Sequence, residues 1–146
     1  FDFIIASVHA NLQMDEQKAT ERVIKAIQNP YTSILGHSTG RILLRREGYP
    51  LDMKEIIKQC AENQVVIEIN ASPYRLDLDW RWVHYALEKG VMLSINPDAH
   101  DVEHYDFVKY GVGIGRKGGL TKQQNLNSLS VNEIETFFAK KKKTIV

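Results

Sequence analysis

Asp98 and His100, with only Ala99 between them, follow the short apolar run Val91 to Ile95. A buried strand over that run delivers a carboxylate oxygen and an imidazole nitrogen to one place at its carboxyl end. Two earlier apolar runs also end in histidine. Phe3 to Val8 leads into His9, and Ser33 to Leu35 leads through Gly36 into His37. A single histidine after a strand is ordinarily a satisfied polar group at the rim of a core. Three strand ends bearing His9, His37, and the Asp98 and His100 pair are instead a candidate metal site. Nitrogen and oxygen donors without thiolate suit Zn or Mn, and Cys60, within a helical pattern of Ile56, Ile57 and Ala61, is read as core.

The elements that must position these groups alternate along the chain. Helical spacing predicts a helix over residues 15 to 28 through Ala19, Val23 and Ile27, stopped at Asn29-Pro30. Asp52 with Glu55 three residues on predicts a capping box at the start of a second helix through Met53, Ile56, Ile57 and Cys60. Val65 to Ile69 predicts a third strand ending at Asn70, and Asp79 a cap for a helix through Val83 and Leu87 that stops at Gly90. His9, His37, Asn70 and Asp98 are spaced by 28, 33 and 28 residues, each step one βα unit. The alternation predicts an α/β protein with a parallel sheet and helical crossovers, whose ligands gather at the carboxyl ends of the strands. Beyond Asp98, a short helix is expected over residues 102 to 108, a fifth strand over Tyr110 to Ile114, and an amphipathic helix over Val131 to Lys141.

Composition narrows the rest. The 146 residues, 43% hydrophobic and 25% charged, suffice for one domain with a core, and a net charge of +1 argues neither for nor against a nucleic-acid partner. Lys140 to Lys143 reads as a solvated helix end. One cysteine excludes an intrachain disulfide and fits a reducing, cytoplasmic compartment. No apolar run approaches 18 residues, so no membrane span or signal peptide is expected. The chain starts without Met inside a strand-like run, which reads as part of a longer chain. Arg41, Arg45, Arg46, Arg75 and Arg116 fall in loops near the site; guanidinium forks suit phosphate oxygens, with Arg41 and Arg75 the first candidates for phosphate or DNA. Gly111, Gly113 and Gly115 lack the spacing of a dinucleotide or P-loop motif and read as a turn around the fifth strand. His84 reads as a surface residue and His104 as a solvated one. No nucleophile and histidine set of a serine or cysteine hydrolase is legible.

The stretches Ala6-Ser7-Val8-His9, Gly36-His37-Ser38-Thr39-Gly40-Arg41, Glu68-Ile69-Asn70-Ala71-Ser72-Pro73-Tyr74-Arg75-Leu76-Asp77-Leu78 and Asn96-Pro97-Asp98-Ala99-His100 carry a family resemblance. The chain resembles the C-terminal part of a PHP (polymerase and histidinol phosphatase) domain, of the kind borne by bacterial family X DNA polymerases. The resemblance spans nearly all of residues 1–146 as one portion of a single domain. It implies the later part of a distorted (β/α)7 barrel with up to three divalent metals, hydrolysing phosphate esters, and 3′ to 5′ exonuclease or 3′ end processing on DNA. Carried over by motif, His9 and His37 would serve one metal, Asp98 another and His100 a third. The family's opening His-x-His motif, its further early histidines and its bridging Glu would precede Phe1, so fewer metals and weak or absent activity are expected of residues 1–146 alone. Glu68 shares a strand face with Asn70 but belongs to a later unit than that bridging acid. Ser38 and Pro97 depart from common family residues without removing a ligand.

Two other readings stand beside this one. Four or five strands cannot close a barrel, so an unpaired sheet edge is expected to recruit partners, making the chain a structural or interaction module that forms a homodimer through that edge. Alternatively it is a small phosphatase with a one-metal site of His9, His37 and Asp98.

Overall fold

A computed structural model describes residues 1–143, with side chains through Lys141. Strands β1 (Ile5–Ala6), β2 (Ile34–Leu35), β3 (Val66–Asn70) and β4 (Leu93–Asn96) form a parallel sheet in the order β1-β2-β3-β4. Helices α1 (Glu16–Ile27), α2 (Met53–Glu62) and α3 (Trp80–Glu88) connect them, and α4 (Val108–Lys117) and α5 (Val131–Lys143) follow. The register sets Ile34 beside Val66, Glu68 beside Ser94 and Asn70 beside Asn96.

Alternation along β3 gives the sheet two unlike faces. Leu35, Ile67, Ile69, Leu93 and Ile95 point to one side, where they pack with Val23 and Ile27 of α1, Ile56, Ile57 and Cys60 of α2, and Val83 and Ala86 of α3. The other face is apolar only at its lower half, where Ile34 and Val66 meet Leu126 and Phe138 of the C-terminal segment. Its upper half carries Glu68, Asn70, Ser94 and Asn96, all at least largely buried, and that polar half is where the functional groups collect.

Each crossover helix starts where a side chain satisfies an otherwise orphaned amide. Asp15 accepts from Lys18 N at 2.8 Å, Asp52 from Glu55 N at 3.0 Å, and Asp79 from Arg81 N at 3.0 Å. The expected capping box at Asp52 is half made: its main-chain N–H donates to Thr20 Oγ1 of α1 at 3.0 Å instead of to Glu55. A full box stands at α5, where Glu133 Oε2 accepts from Ser130 N at 2.7 Å and Glu133 N donates to Ser130 Oγ at 3.4 Å.

Three expectations are corrected. The Phe3 to Val8 run is not a buried strand. It pairs only over Ile5 and Ala6, at the sheet edge, and Phe3, Ile4 and Ile5 remain 39–49% exposed because β2 is the one strand that flanks them among the described residues. Tyr110 to Ile114 is helix, not strand. Phe107, Gly111, Ile114, Gly115 and Gly118 recur at helical spacing, and the absence of side chains on one face lets α4 lie directly on the sheet. A Cβ at Gly111 would sit 2.6 Å from Ile95 Cγ2 and 2.7 Å from Ala71 Cβ. The lysine run is not wholly solvated: Lys141 turns inward and donates to Thr32 O, and burial lowers its affinity for the proton. The side chains of Lys142 and Lys143 lie outside the described residues. Cys60 is buried and His84 is exposed beside Glu88, as read from the sequence.

The far edge of the sheet is sealed. Asn127 uses its side-chain amide as a strand would use its backbone, accepting from Ile95 N at 2.7 Å and donating to Ile95 O at 3.0 Å, while Asn125 bridges Leu93. No helix among the described residues is long and apolar enough to cross a membrane.

Candidate functional site

The sheet delivers its polar groups to one place because every strand runs the same way. His9 and His37, from the ends of β1 and β2, stand edge to face with ring centroids 5.0 Å apart. The two chains approach closely at Gly36, where a Cβ would lie 2.6 Å from Ser7 Oγ and 2.9 Å from Ile5 Cγ2. His37 is 6% exposed, and its Nδ1 is buried with no hydrogen-bond partner. Its backbone lies at φ 26°, and that of Asp98 at φ 52°, a region that costs a non-glycine residue on the order of 1–3 kcal/mol.

Glu68 links the two halves of the site. It is 5% exposed and accepts from His37 N at 2.8 Å and Asn70 Nδ2 at 3.1 Å on one oxygen, and from Asn96 Nδ2 at 2.8 Å on the other. Asn70 Nδ2 also donates to Asp98 Oδ2 at 3.1 Å, and its Oδ1 accepts from Ser72 N. The position of His37 and that of Asp98 therefore depend on one buried carboxyl group. The sequence reading placed Glu68 and Asn70 on one face but gave Glu68 no part. The available signal was an acid in the middle of an otherwise apolar parallel strand.

Asp98 and His100 meet through the Asp98 main chain. Asp98 Oδ2 lies 3.4 Å from Arg75 Nε, and His100 Nδ1 is 2.8 Å from the Asp98 carbonyl. The carbonyl accepts, so Nδ1 donates the proton of this bond and Nε2 is the ring nitrogen left to serve as a metal ligand. His104 is half-buried rather than solvated, its Nδ1 accepting from His100 N at 3.1 Å and its ring stacked on Phe107 with centroids 4.6 Å apart.

The loops after β2 and β3 are stitched together. Asp77, fully buried, accepts from Thr39 N at 2.8 Å and Thr39 Oγ1 at 2.7 Å, and Tyr49 donates from its hydroxyl to Ser38 O at 2.6 Å. Burial, aided by the nearby Asp77 carboxylate, pushes the Tyr49 hydroxyl up to about 12. Arg41 spends its guanidinium on this seam: Nε donates to Arg75 O at 2.7 Å, Nη2 donates to Leu76 O, and Nη1 lies 3.6 Å from Asp79. Hydrogen bonding from Arg81 in turn holds the Asp79 carboxyl below its usual range.

His9, His37, Asp98 and His100 thus share one end of the sheet as two pairs, bridged through Glu68 and Asn70. Among the described residues no three His, Cys, Asp or Glu side chains gather as a ready metal cage. The donor chemistry still suits a divalent cation, since His37 presents a buried nitrogen without a partner and His100 an oriented lone pair.

Fold and site together define a parallel α/β protein with imidazole and carboxylate groups at the carboxyl ends of its strands. The chain is 38% identical over 136 residues to the DNA polymerase/3′-5′ exonuclease PolX of Bacillus subtilis, an alignment covering 93% of this chain and 24% of that protein. It is also 28% identical to probable phosphatases of Thermoanaerobacter sp. and Caldanaerobacter subterraneus, over 99% of this chain and 60% and 58% of theirs. The chain therefore spans about a quarter of the first relative and under two thirds of the others. No protein-family model matches it.

Proposed function

We propose that the chain is the later part of a PHP-type phosphoesterase barrel which, in the longer protein, hydrolyses DNA phosphodiesters or 3′ phosphate ends with divalent metal. The carrying observation is the buried, unpartnered His37 Nδ1 beside His9, at the same sheet end as Asp98 and His100. The names of the relatives, an exonuclease and phosphatases, point the same way.

In this reading His9 and His37 would hold one Zn or Mn ion, with Asp98 and His100 contributing to others. A bound divalent cation supplies Lewis-acid polarisation of the phosphoryl group and a more acidic water. Glu68 and Asn70 keep the two pairs in register, and Arg75, held by Asp98, flanks the site for DNA phosphates. Arg41 supports that arginine through the Arg75 carbonyl. A reducing, cytoplasmic setting belongs to the same reading and suits a buried free thiol.

Elemental analysis of the purified chain tests it. At least one equivalent of Zn, Mn or Fe is expected, with loss on His37→Ala, and slow or absent cleavage of 3′-recessed DNA by residues 1–146 alone. A metal-free chain that takes up no Mn²⁺ or Zn²⁺ in titration calorimetry overturns the proposal. That result would favour the second reading, an interaction module, which the lack of a three-ligand cluster among the described residues and the exposed Phe3, Ile4 and Ile5 at the sheet edge support.

A further inference from the structure

Beside Asp98 and His100 the molecule has an open groove of about 350 Å³, within the range of small-molecule sites. Its lining includes Arg45, Tyr74, Arg75, His104 and Phe107. Three nearby arginines already have partners within the protein. Arg41 is bonded to the Arg75 and Leu76 carbonyls, Arg46 to Gly40 O at 2.7 Å, and Arg75 to Asp98 and Arg41 O. The Arg45 guanidinium has no hydrogen bond or ion pair among the described residues and is exposed.

Tyr74 is the second unexplained group. It is 60% exposed, and its ring joins no aromatic pair among the described residues. Its backbone is nevertheless fixed, because Leu43 N donates to Tyr74 O at 2.7 Å and Arg75 N to Ser72 O at 2.9 Å. An exposed aromatic ring on a fixed backbone, lining the same groove as an unpaired guanidinium and the His104 and Phe107 stack, is the combination single-stranded nucleic acid uses: a base on the ring and a phosphate on the cation. A small phosphate monoester needs the charge and leaves the rings without a task.

Resting on the phosphoesterase reading, we infer that Tyr74 and Arg45 form the seat for the end of a single DNA strand, Tyr74 stacking a base and Arg45 holding a backbone phosphate. This assigns the groove to a polynucleotide rather than to a small phosphate ester.

The test is fluorescence anisotropy of a labelled oligo(dT) octamer with the full 146-residue chain in EDTA, so that binding is read without metal or hydrolysis. Tyr74→Ala is expected to weaken binding about 5- to 100-fold and Tyr74→Phe to change it little, since stacking requires the ring and not the hydroxyl. Arg45→Gln is expected to weaken binding and flatten the salt dependence by about 0.7 in log–log slope, one phosphate's worth for a single strand. Both side chains are exposed, and circular dichroism should show unchanged folding. Octamer binding indifferent to both substitutions, or displaced equally well by equimolar inorganic phosphate, overturns the inference. A chain that binds metal and whose parent cleaves DNA, yet is indifferent to Tyr74→Ala, refutes this seat alone. A chain with the expected octamer binding but no metal refutes the phosphoesterase reading and leaves the seat standing.

Discussion

Glu68 offers the sharpest test of how the site is held. In Glu68→Leu the side chain keeps comparable bulk but loses both acceptor oxygens, and the donors around it stay in place. His37 N would lose its sole acceptor, at a cost of about 1–3 kcal/mol for a buried amide. The Asn70 and Asn96 amides would each lose one of two donated bonds, keeping those to Asp98 and Ser94, for about 1 kcal/mol apiece. The expected loss is therefore about 3 kcal/mol or more. Glu68→Gln should cost less, about 1–2 kcal/mol, because one oxygen remains for His37 N and the Asn96 amide can turn to accept from the new amide while Ser94 donates to it. Equilibrium urea denaturation measures both, as midpoint shifts at constant slope. A Leu variant within about 0.5 kcal/mol of the native chain would show that the three bonds are not what holds the strand ends, and the account of Glu68 as their link would fall. An amide resonance of His37 that does not move in Glu68→Leu would have the same force.

Other expectations follow from packing and ionisation. Gly111→Ala should destabilise by about 1–3 kcal/mol, since its Cβ would overlap Ile95 and Ala71, whereas Gly113→Ala on the same helix meets nothing within 4 Å and should stabilise by about 0.5–1 kcal/mol; thermal melts of the pair settle it. Burial raises the Cys60 thiol and the Tyr49 hydroxyl from ordinary values of 9.0 and 10.0 to about 12. The unfolded chain therefore releases these protons first, and the stability they contribute, intact below pH 9, should drain away between pH 9 and 12. A flat denaturation midpoint across that window would contradict this, as would rapid reaction of Cys60 with a thiol reagent under native conditions. Light scattering at high concentration should detect a dimer paired through β1, reduced by Ile5→Lys; a strict monomer at millimolar concentration would exclude it.

The order of strands and helices was legible because apolar runs, caps and breakers agreed at every boundary from Asp15 to Gly90. His9, His37, Asp98 and His100 could be singled out for the same reason, each lying two to four residues beyond a strand. What escaped depended on neighbours distant in sequence. Glu68 is the one acid in an otherwise apolar run, and its role appears only when His37 and Asn96 arrive from other units. Residues 110–114 read as strand and turn because glycines carry no hydropathy signal, although it is their smallness that lets α4 rest on Ala71 and Ile95. The exposure of Phe3 to Ile5 was illegible because burial of a strand depends on how many strands flank it, which its own residues do not encode.

The amide of Asn127, described above as a stand-in for a missing strand, also decides what kind of assembly the sheet permits. With β4 capped, a β1 edge finds no complementary acceptor on another copy except that copy's own β1. Head-to-tail pairing of β1 with a capped β4 would be disfavoured, and a pair formed through β1 would be self-complementary about a two-fold axis, with the strands antiparallel at the seam. Asn127→Ala would free Ile95 N and O but leave the Asn125 bridge to Leu93, so it would reopen only part of the β4 edge to another copy.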